Sequence, residues 1–353
     1  MRKYTLSKYN YFLKYDKYGV VYNSLHGTIV KVSKNVLDQL EYWSKESAQI
    51  PEFESSIMWK LKDNGIILEE KNDETDSLKK IYKEFQTEDL LHLIILPTEK
   101  CNLRCVYCYE DFKKGKMSEK IQKDILLYLK ENIKNYKYLY ISWFGGEPLL
   151  ETEIIKYLTY EIKKICLENN IEYHAGITTN GTLLTKQNFE LLLECNVEDF
   201  QITLDGPKYI HDKQRVTING KGTFTKIYEN LQMIKNVQGQ FNIVLRTNIK
   251  AGVDDAIYDY IDRVYRDFAS DKRFKLHLVA IADLTGETKA TIDLCDTAHL
   301  FPYYRYAKQK GISFEFYEKL FQPTCMVCYA ANPHSFVIGS DGTVYKCTVA
   351  FNN

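Results

Sequence analysis

Residues 91–110 read LHLIILPTEKCNLRCVYCYE, an apolar run followed by three closely spaced cysteines. The run predicts a buried strand, and Cys101, Cys105 and Cys108 follow it as C-x3-C-x2-C. Cysteine thiolates hold iron–sulfur clusters, and four irons on three protein thiolates leave one iron open to another ligand. A zinc site or three ordinary buried thiols are the alternatives. The spacing favours the cluster, because structural zinc sites usually come as two CxxC-like pairs.

Downstream of this stretch, strand-like and helix-like segments alternate. The strand-like segments are 91–98, 137–146, 171–181, 199–206, 240–250 and 273–283. Six strands that are each followed by a crossover imply parallel pairing. The count predicts an α/β fold with a partial (β/α)6 barrel rather than a closed eight-fold barrel. Barrel enzymes carry their chemistry at the carboxyl ends of the strands, so those ends are the candidate site.

Glycine-rich and polar motifs follow three of these strands. The second strand ends in WFGGEP (143–148), where adjacent glycines let a backbone edge approach a ligand and a carboxylate can accept from an ammonium group. The third ends in TTNGTLL (178–184), and the fourth in TLDGP (203–207) followed by HDKQR (211–215). Asn-Gly and Asp-Gly are also common turn pairs. Their position at successive strand ends is what favours a site.

The cysteine motif resembles the signature of radical S-adenosylmethionine (SAM) enzymes, C-x3-C-x-aromatic-C, with Tyr107 as the aromatic residue. The resemblance implies a [4Fe–4S] cluster on Cys101, Cys105 and Cys108, with SAM on its open iron. Reductive cleavage of SAM then yields a 5′-deoxyadenosyl radical that removes hydrogen from the substrate. No side chain is assigned as a catalytic acid or base. The SAM-binding residues that the resemblance implies are Tyr107, Gly145, Gly146, Glu147, Pro148, Thr179, Asn180, Thr203, Asp205, Arg215 and Leu245.

These residues have separate expected roles. By resemblance, the Gly145–Pro148 edge receives the methionine amine, and Arg215 pairs with the carboxylate bidentately. On the fifth strand, NIVLRTNI (242–249), Leu245 is the expected adenine wall, while Arg246 and Asn248 are expected to face the cavity. Strand alternation puts Leu245 and Arg246 on opposite faces, so one assignment is wrong unless the strand kinks.

A second cysteine group lies near the end of the chain. Cys328, Gly342 and Cys347 are spaced C-x13-G-x4-C, which resembles the opening half of a SPASM domain, an extension that binds auxiliary iron–sulfur clusters. SFVIGSDGTVYKC (335–347) predicts a hairpin that brings the two thiols together. Cys325 is a further candidate ligand, and zinc on these three cysteines is the alternative. The family's later cysteines are absent, so a shortened domain is expected.

Other cysteines and histidines receive structural predictions. Cys166 and Cys195 lie on helix-like apolar faces and are predicted to be core thiols. His174 lies in a strand and is predicted to be a satisfied core residue, and His211 is predicted to order the HDKQR loop.

Composition limits the class of protein. The 353 residues include 47 Lys+Arg and 47 Asp+Glu, so no basic excess indicates a nucleic-acid or anionic-membrane partner. No signal-peptide core and no run of 18 apolar residues occur, which predicts a cytoplasmic protein without a membrane partner. Six of the nine cysteines fall in two tight groups, a pattern that favours reduced metal ligands over a disulfide framework.

Four segments are predicted along the chain. Residues 1–75 predict a small winged-helix-like α+β domain, and the charged run at 76–90 a linker. Residues 91–284 predict the barrel, and 285–353 a bridging region with the shortened SPASM-like segment.

The resemblance and the N-terminal module together suggest a function. They imply a maturase that crosslinks a ribosomally made precursor peptide, with a thioether as the first expectation and flavodoxin or ferredoxin as reductant. Such modules capture an extended leader on a sheet edge, here expected within Val20–Val32. An anaerobic sulfatase-maturing enzyme and a non-catalytic metal-binding or leader-binding adaptor are the alternatives. The N-terminal module is alternatively only a packing cap.

Overall fold

The computed structural model describes residues 4–46, 50, 55–70, 73–85, 88–284, 292–314 and 328–349. The chain divides into two compact units, one formed by 1–87 with 316–327 and the other by 88–315 with 328–353. Within the described ranges, the helices are all too short or too polar to cross a membrane.

The first unit is a small α+β structure. Its elements are β1 (Tyr4–Leu6), β2 (Asn10–Lys14), β3 (Gly19–Asn23), β4 (Thr28–Val32), α1 (Lys34–Glu46), α2 (Ser56–Asp63), β5 (Ile67–Glu69) and α3 (Glu74–Phe85). Strands β2, β3 and β4 form an antiparallel sheet in that order, and β1 pairs with β5. Alternate valines of β3 and β4, Val21 and Val30, pack with Leu37 and Leu40 of α1 in one core. Gly19 lets α1 approach, because a Cβ there would lie 2.6 Å from Leu37.

The charged run predicted to be a linker is largely helical. Helix α3 covers Glu74–Phe85, and the strand that opens the second unit begins at Leu90. Leu78, Ile81 and Tyr82 recur at helical spacing and provide one apolar stripe among the charges. The helical spacing of these apolar residues therefore indicates the structure of this run better than its high content of charged residues does.

The second unit contains six parallel strands in chain order. They are β6 (Leu90–Ile95), β8 (Tyr138–Trp143), β9 (Glu172–Thr179), β10 (Val197–Thr203), β12 (Asn242–Ile249) and β13 (Phe274–Ala280). The main helices are α4 (Glu119–Asn132), α5 (Thr152–Glu168), α6 (Lys186–Glu194), α8 (Phe224–Lys235), α9 (Asp254–Phe268) and α10 (Phe301–Lys310). This order confirms the predicted partial (β/α)6 barrel.

The second unit also contains four short strands and one short helix. Strand β7 (Leu103–Cys105) pairs antiparallel with β11 (Arg215–Thr217), which follows helix α7 (Lys208–Gln214). At the other edge of the large sheet, β14 (Ser335–Ile338) adds in parallel to β6 and turns back into β15 (Val344–Tyr345). The large sheet therefore has eight strands in the described ranges.

The main core lies between the strands and the helices. Each central strand contributes alternate side chains to it, among them Leu93, Ile141, Ile177, Ile202 and Leu245, all at most 3% exposed. Cys166 and Cys195 belong to the same cluster, as predicted for core thiols. The opposite faces of the strands carry polar side chains, and the loops at their carboxyl ends carry the motifs.

Candidate active site

The three cysteines of the motif lie on a short antiparallel ribbon. In the pairing of β7 with β11, Cys105 lies opposite Arg215. The backbone N–H of Val106 donates to the Gln214 carbonyl at 3.0 Å, which extends the ribbon. We call residues 101–108 the cysteine ribbon. Strands of three residues leave no periodicity to detect, so this pairing escaped the sequence analysis.

The thiols of the cysteine ribbon are half-buried and have hydrogen-bond donors nearby. Cys101 Sγ accepts from the Leu103 backbone N–H at 3.4 Å and from Asn180 Nδ2 at 3.7 Å. Burial raises the pKa of Cys101 to about 12 and that of Cys108 to about 11. Burial also raises the pKa of Cys105, opposed by the nearby Arg215 guanidinium. Such thiols become thiolates when a bound cation compensates the buried charge.

Tyr107 is the centre of a buried polar network. Its hydroxyl donates to Asp205 Oδ2 and accepts from Arg215 Nη1 at 2.9 Å and from Asn248 Nδ2 at 3.1 Å. Asp205 Oδ1 also accepts from the Asn248 backbone N–H at 2.9 Å. We call Tyr107, Asp205, Arg215 and Asn248 the tyrosine hub. The hub ties the cysteine ribbon to the ends of β10 and β12.

His211 stabilises the tyrosine hub through hydrogen bonds to the backbone of Asp205 and to Thr223. It is fully buried, its Nδ1 accepts from the Asp205 backbone N–H at 3.0 Å, and its Nε2 bonds with Thr223 Oγ1 at 3.0 Å. Burial, together with the Arg215 charge, lowers the pKa of His211 to about 3, so the ring is neutral. These contacts confirm that His211 orders its loop. His174, in contrast, is partly exposed and bonds with Glu172 at the surface, so its prediction as a core residue was wrong.

The GGEP motif forms a tight backbone edge at the end of β8. Gly145 has φ +109°, and a Cβ on Gly146 would lie 2.4 Å from the Lys100 carbonyl oxygen. Side chains are therefore excluded at both positions by the protein's own backbone, and the predicted approach of a ligand to this edge stays a prediction. Pro148 is buried and opens a short 3-10 turn.

Glu147 is turned away from any ligand on that edge. It is fully buried, and its carboxylate accepts from Thr179 Oγ1 at 2.7 Å, from the Asn180 backbone N–H at 2.7 Å and from the Leu149 backbone N–H at 3.1 Å. The sequence-based role of the carboxylate as an ammonium acceptor is therefore corrected. Glu147 joins the ends of β8 and β9, and the backbone carbonyls are what remain for a ligand.

Asn180 and Thr179 are also engaged within the protein. Asn180 Oδ1 accepts from the backbone N–H of Thr182 at 2.9 Å, and its Nδ2 donates to Asn102 Oδ1 at 2.8 Å. Thr179 donates to Glu147. These hydrogen bonds hold the end of β9 against the cysteine ribbon. Asn102 takes part in them, although the motif spacing did not indicate a role for it.

The structure of β12 shows which of Leu245 and Arg246 faces the interior of the barrel. Leu245 is fully buried in the core against the helices, and Thr247, two residues on, bonds with Tyr260 of α9 at 3.2 Å. Arg246 and Asn248 lie on the opposite, interior face, where Asn248 joins the hub. Leu245 therefore does not line the interior, because the strand alternates without a kink. Thr203 of β10 is buried and pairs in register with Arg246.

The C-terminal hairpin is present as predicted. β14 and β15 are joined by a turn with Gly342 at φ +84°, and Tyr329, next to Cys328, places its hydroxyl 3.9 Å from Cys347 Sγ. The Ser340 N–H and hydroxyl both donate to Glu99 Oε1, at 3.1 and 3.0 Å, which ties the turn to the loop before Cys101. Cys325 lies outside the described residues.

The donor set of the cysteine ribbon suits a cluster better than a single ion. A structural zinc ion usually takes four protein ligands around one position, whereas a cluster can take its thiolates from three cysteines on separate irons. Half-buried thiols with N–H donors and a nearby guanidinium are suited to binding such a cluster.

Comparison with known proteins supports this reading. Residues 95–256, which run from β6 into α9, match the model of the Radical SAM superfamily. This part of the chain is a radical SAM domain. Such domains use a [4Fe–4S] cluster and SAM, as the signature around Tyr107 implied.

Curated relatives match the chain at modest identity. An uncharacterized protein of Methanocaldococcus jannaschii is 33% identical over 161 residues, 44% of this chain and 52% of that protein. A cysteine-type anaerobic sulfatase-maturating enzyme of Clostridium novyi is 26% identical over 287 residues, 73% of each chain. The radical SAM cyclopropyl synthase TigE of Paramaledivibacter caminithermalis is 25% identical over 347 residues, 88% of this chain and 70% of that protein. The chain thus spans about half of the first relative.

Solved structures share the fold. Native anSMEcpe, with bound AdoMet and the Kp18Cys peptide, superposes with a TM-score of 0.59 at 23% identity, covering 74% of this chain and 75% of that one. SuiB of Streptococcus suis, bound to the precursor peptide SuiA, superposes with a TM-score of 0.54 at 17% identity, covering 100% of this chain and 85% of that one.

Proposed function

We propose that the protein is a radical SAM peptide maturase. In this proposal it removes a hydrogen atom from a ribosomally made precursor peptide, and the product is a thioether or another crosslink. The observation that carries the proposal is the cysteine ribbon, which the tyrosine hub and the Glu147 and Asn180 contacts hold at the carboxyl edge of the barrel. Flavodoxin or ferredoxin is the proposed electron donor, and the cytoplasm the proposed location.

In this proposal, the cysteines and the glycine edge have separate roles. Cys101, Cys105 and Cys108 hold the cluster, and the Asn180 amide donates toward the Cys101 sulfur. The carbonyl edge at Gly145 and Gly146 takes the SAM amine, a role proposed from the motif, because the crowding around both glycines comes from the protein's own backbone. When bound, the cluster and SAM together supply the 5′-deoxyadenosyl radical. The chain itself orients SAM and peptide and excludes water.

The second cysteine group is the proposed auxiliary cluster site. Cys328 and Cys347 are two of the proposed ligands, and the hydroxyl of Tyr329, the neighbour of Cys328, lies 3.9 Å from Cys347 Sγ. Cys325 is retained as a third proposed ligand on sequence grounds alone. Zinc on this group is the competing assignment.

The first unit is the proposed leader-binding module. The expected edge within Val20–Val32 needs refinement, because β3 lies between β2 and β4 and has both edges paired. Strand β4 is the part of that interval that lies at an edge, and Ile29 on it is 56% exposed. An extended leader can add to such an edge through main-chain hydrogen bonds.

One of the sequence matches extends beyond the barrel into the first unit. The match to the cyclopropyl synthase covers 88% of this chain, and the unmatched 12% is about 42 residues, fewer than the 87 that precede the barrel unit. That match therefore includes part of the first unit. The sulfatase maturases match 73% of the chain at similar identity and support the second candidate, a formylglycine-generating enzyme, equally well over the barrel.

Anaerobic reconstitution with iron, sulfide, SAM and dithionite tests the proposal. The wild type should form 5′-deoxyadenosine, whereas Cys101→Ala should form none. A Cys-containing precursor peptide should then lose two hydrogens on crosslinking, as mass spectrometry would show. Conversion of a sulfatase-type Cys peptide to an aldehyde would favour the second candidate. Colourless protein with stoichiometric zinc and no 5′-deoxyadenosine would make the chain an adaptor.

A matched pair of variants tests the leader edge. Ile29→Asp on β4 should weaken binding of a fluorescein-labelled leader peptide by about tenfold, because a charge there opposes burial of the added strand. Tyr11→Asp on β2, at the other edge and 59% exposed, should leave binding unchanged. Equal losses in both variants, read by fluorescence anisotropy, would refute the choice of β4.

A further inference from the structure

A pocket of about 480 Å³ lies between helix α7 and the amino terminus of α9. Gln214, the last residue of α7, lines this pocket and is 4% exposed. Its carboxamide oxygen and nitrogen are both buried without a hydrogen-bond partner among the described residues. A buried carboxamide without a partner is costly, so its position in the wall of a pocket indicates a ligand that can pair with it.

The amino terminus of α9 adds hydrogen-bond donors to the same pocket. No side chain caps this helix, and the Ile257 backbone N–H donates to the Val253 carbonyl at 3.2 Å. The N–H groups of Asp255 and Ala256 precede that bond and have no acceptor within the helix. Both residues line the pocket. The pocket therefore combines the N–H donors of a helix terminus with an unpaired carboxamide.

The charged residues of the pocket favour a neutral ligand. Lys213 and Lys250 contribute two positive charges to the lining. Asp254 and Asp255 contribute two negative charges, so the lining is formally neutral and would repel a phosphate as much as attract it. A peptide group is neutral and has one donor and one acceptor. In an extended chain, the N–H and C=O of one residue point to the same side, where a single carboxamide can pair with both.

The pocket lies next to the tyrosine hub and the cysteine ribbon. Gln214 directly precedes Arg215 of the hub, and its carbonyl accepts from the Val106 backbone N–H at 3.0 Å. Lys250 follows the last residue of β12, two residues beyond Asn248 of the hub. A chain held in the pocket is therefore at the carboxyl edge of the barrel, where the proposed SAM site lies.

We propose that this pocket binds the main chain of the precursor peptide in an extended conformation. The Gln214 carboxamide pairs with the N–H and C=O of one peptide residue, while the N–H groups of Asp255 and Ala256 donate to a neighbouring carbonyl. The carboxamide is shielded from solvent, so pairing requires a rotation of the side chain, which no hydrogen bond of the carboxamide to a described residue opposes. The site rests on the proposed function for its ligand.

Gln214→Met and Gln122→Met form a matched pair of variants. Both remove a carboxamide from a buried side chain of nearly constant length. Gln122 is 6% exposed, and its Nε2 donates to the Met117 carbonyl at 3.2 Å, a kind of contact that the Gln214 carboxamide lacks among the described residues. Gln122→Met should therefore lower the unfolding midpoint by roughly 2–4 °C, whereas Gln214→Met should leave it unchanged or raise it.

Binding is measured with a fluorescein-labelled hexapeptide of Ala, Ser and Cys and with a counterpart methylated on its peptide nitrogens. Methylation removes the main-chain donors and keeps the side chains. By fluorescence anisotropy, the reconstituted wild type should prefer the unmethylated peptide by about tenfold. Gln214→Met should lose most of this preference, and Gln122→Met should keep it. Both comparisons are repeated in combination with Ile29→Asp, so that binding at the β4 edge does not contribute.

Three results would overturn the proposal. The first is an unchanged preference in Gln214→Met. The second is an unfolding midpoint of Gln214→Met as low as that of Gln122→Met, which would show that the carboxamide has a partner inside the fold. The third is displacement of the unmethylated peptide from the wild type by millimolar inorganic phosphate, which would make the pocket an anion site. Because binding needs no turnover, a wild type that keeps the preference but forms no crosslink would count against the proposed function and not against this site.

Discussion

The two cysteine groups are each organised by an adjacent tyrosine, but in different ways. Tyr107, next to Cys108, bonds with side chains from two other strand ends and a third element, and two of those side chains are charged. Among the described residues, the hydroxyl of Tyr329, next to Cys328, bonds with Thr348 and Cys347 at the end of the hairpin segment. The first group is thus integrated into the barrel, whereas the second is organised locally. Ligand geometry in the first should depend on the whole fold.

The largest expected effect separates the two groups by iron content. Replacing Cys101, Cys105 or Cys108 by Ala should abolish 5′-deoxyadenosine formation, because the cluster loses one of its three thiolates. Cys328→Ala and Cys347→Ala should retain that activity and the iron of the first group. Iron analysis and product chromatography after dithionite reduction provide the measurement. If Cys347→Ala also abolished SAM cleavage, the two groups would not be independent.

The next effect compares the two tyrosines. Tyr107→Phe leaves Asp205, Arg215 and Asn248 without their shared partner in a buried site, so unfolding should become easier by about 2–3 kcal/mol. Tyr329→Phe removes a half-buried, local hydroxyl and should cost about 1 kcal/mol or less. Chemical denaturation of both variants gives the comparison. Equal losses would mean that the hub is no more integrated than the hairpin.

Acid should weaken the hub through His211. Its pKa is about 3 in the fold and 6.5 as the reference, so the unfolded chain binds the extra proton between these values. The contribution of His211 to the free energy of unfolding is complete above pH 6.5. Below that pH it falls by about 1.4 kcal/mol per pH unit, until about pH 3. Denaturation midpoints from pH 7 to 4 should fall less steeply in His211→Asn. An unchanged slope in that variant would show that His211 does not titrate this way.

The smallest effect concerns the link between the two regions. Ser340→Ala removes one of two hydrogen bonds from the hairpin turn to Glu99 and should cost about 1 kcal/mol. Hydrogen exchange should speed up in the turn at 339–342 and remain unchanged in β9. The control is Thr343→Ala, at the far side of the same turn. Faster exchange spreading to β9 would contradict the picture of a local link.

Several elements of the fold were readable in the sequence, and others were not. The six parallel strands and their helices follow from apolar runs of adequate length, and the hairpin from its turn residues. The ribbon of β7 and β11 was missed, because three-residue strands carry no period and pair over a separation of about one hundred residues. Helix α3 was assigned to a linker, since its charges obscured a short apolar stripe.

The candidate site likewise has features that the sequence indicated and features that it did not. Residue types and spacing, from Cys101 to Cys108 and at each strand end, were sufficient to indicate the cluster chemistry and the edge of the barrel that carries it. They did not show which polar groups remain available to a ligand. Glu147 and Thr179 are bonded to each other, Leu245 faces the helices, and the Arg246 side chain donates to Asn248.

The sequence alone therefore determined the kinds of donor and their order along the chain, because those depend on local chemistry and periodicity. Only the tertiary structure decided which donors are satisfied within the protein. Hydrogen-bond satisfaction depends on the distance and direction between groups far apart in the chain, and close packing of the strand ends sets both.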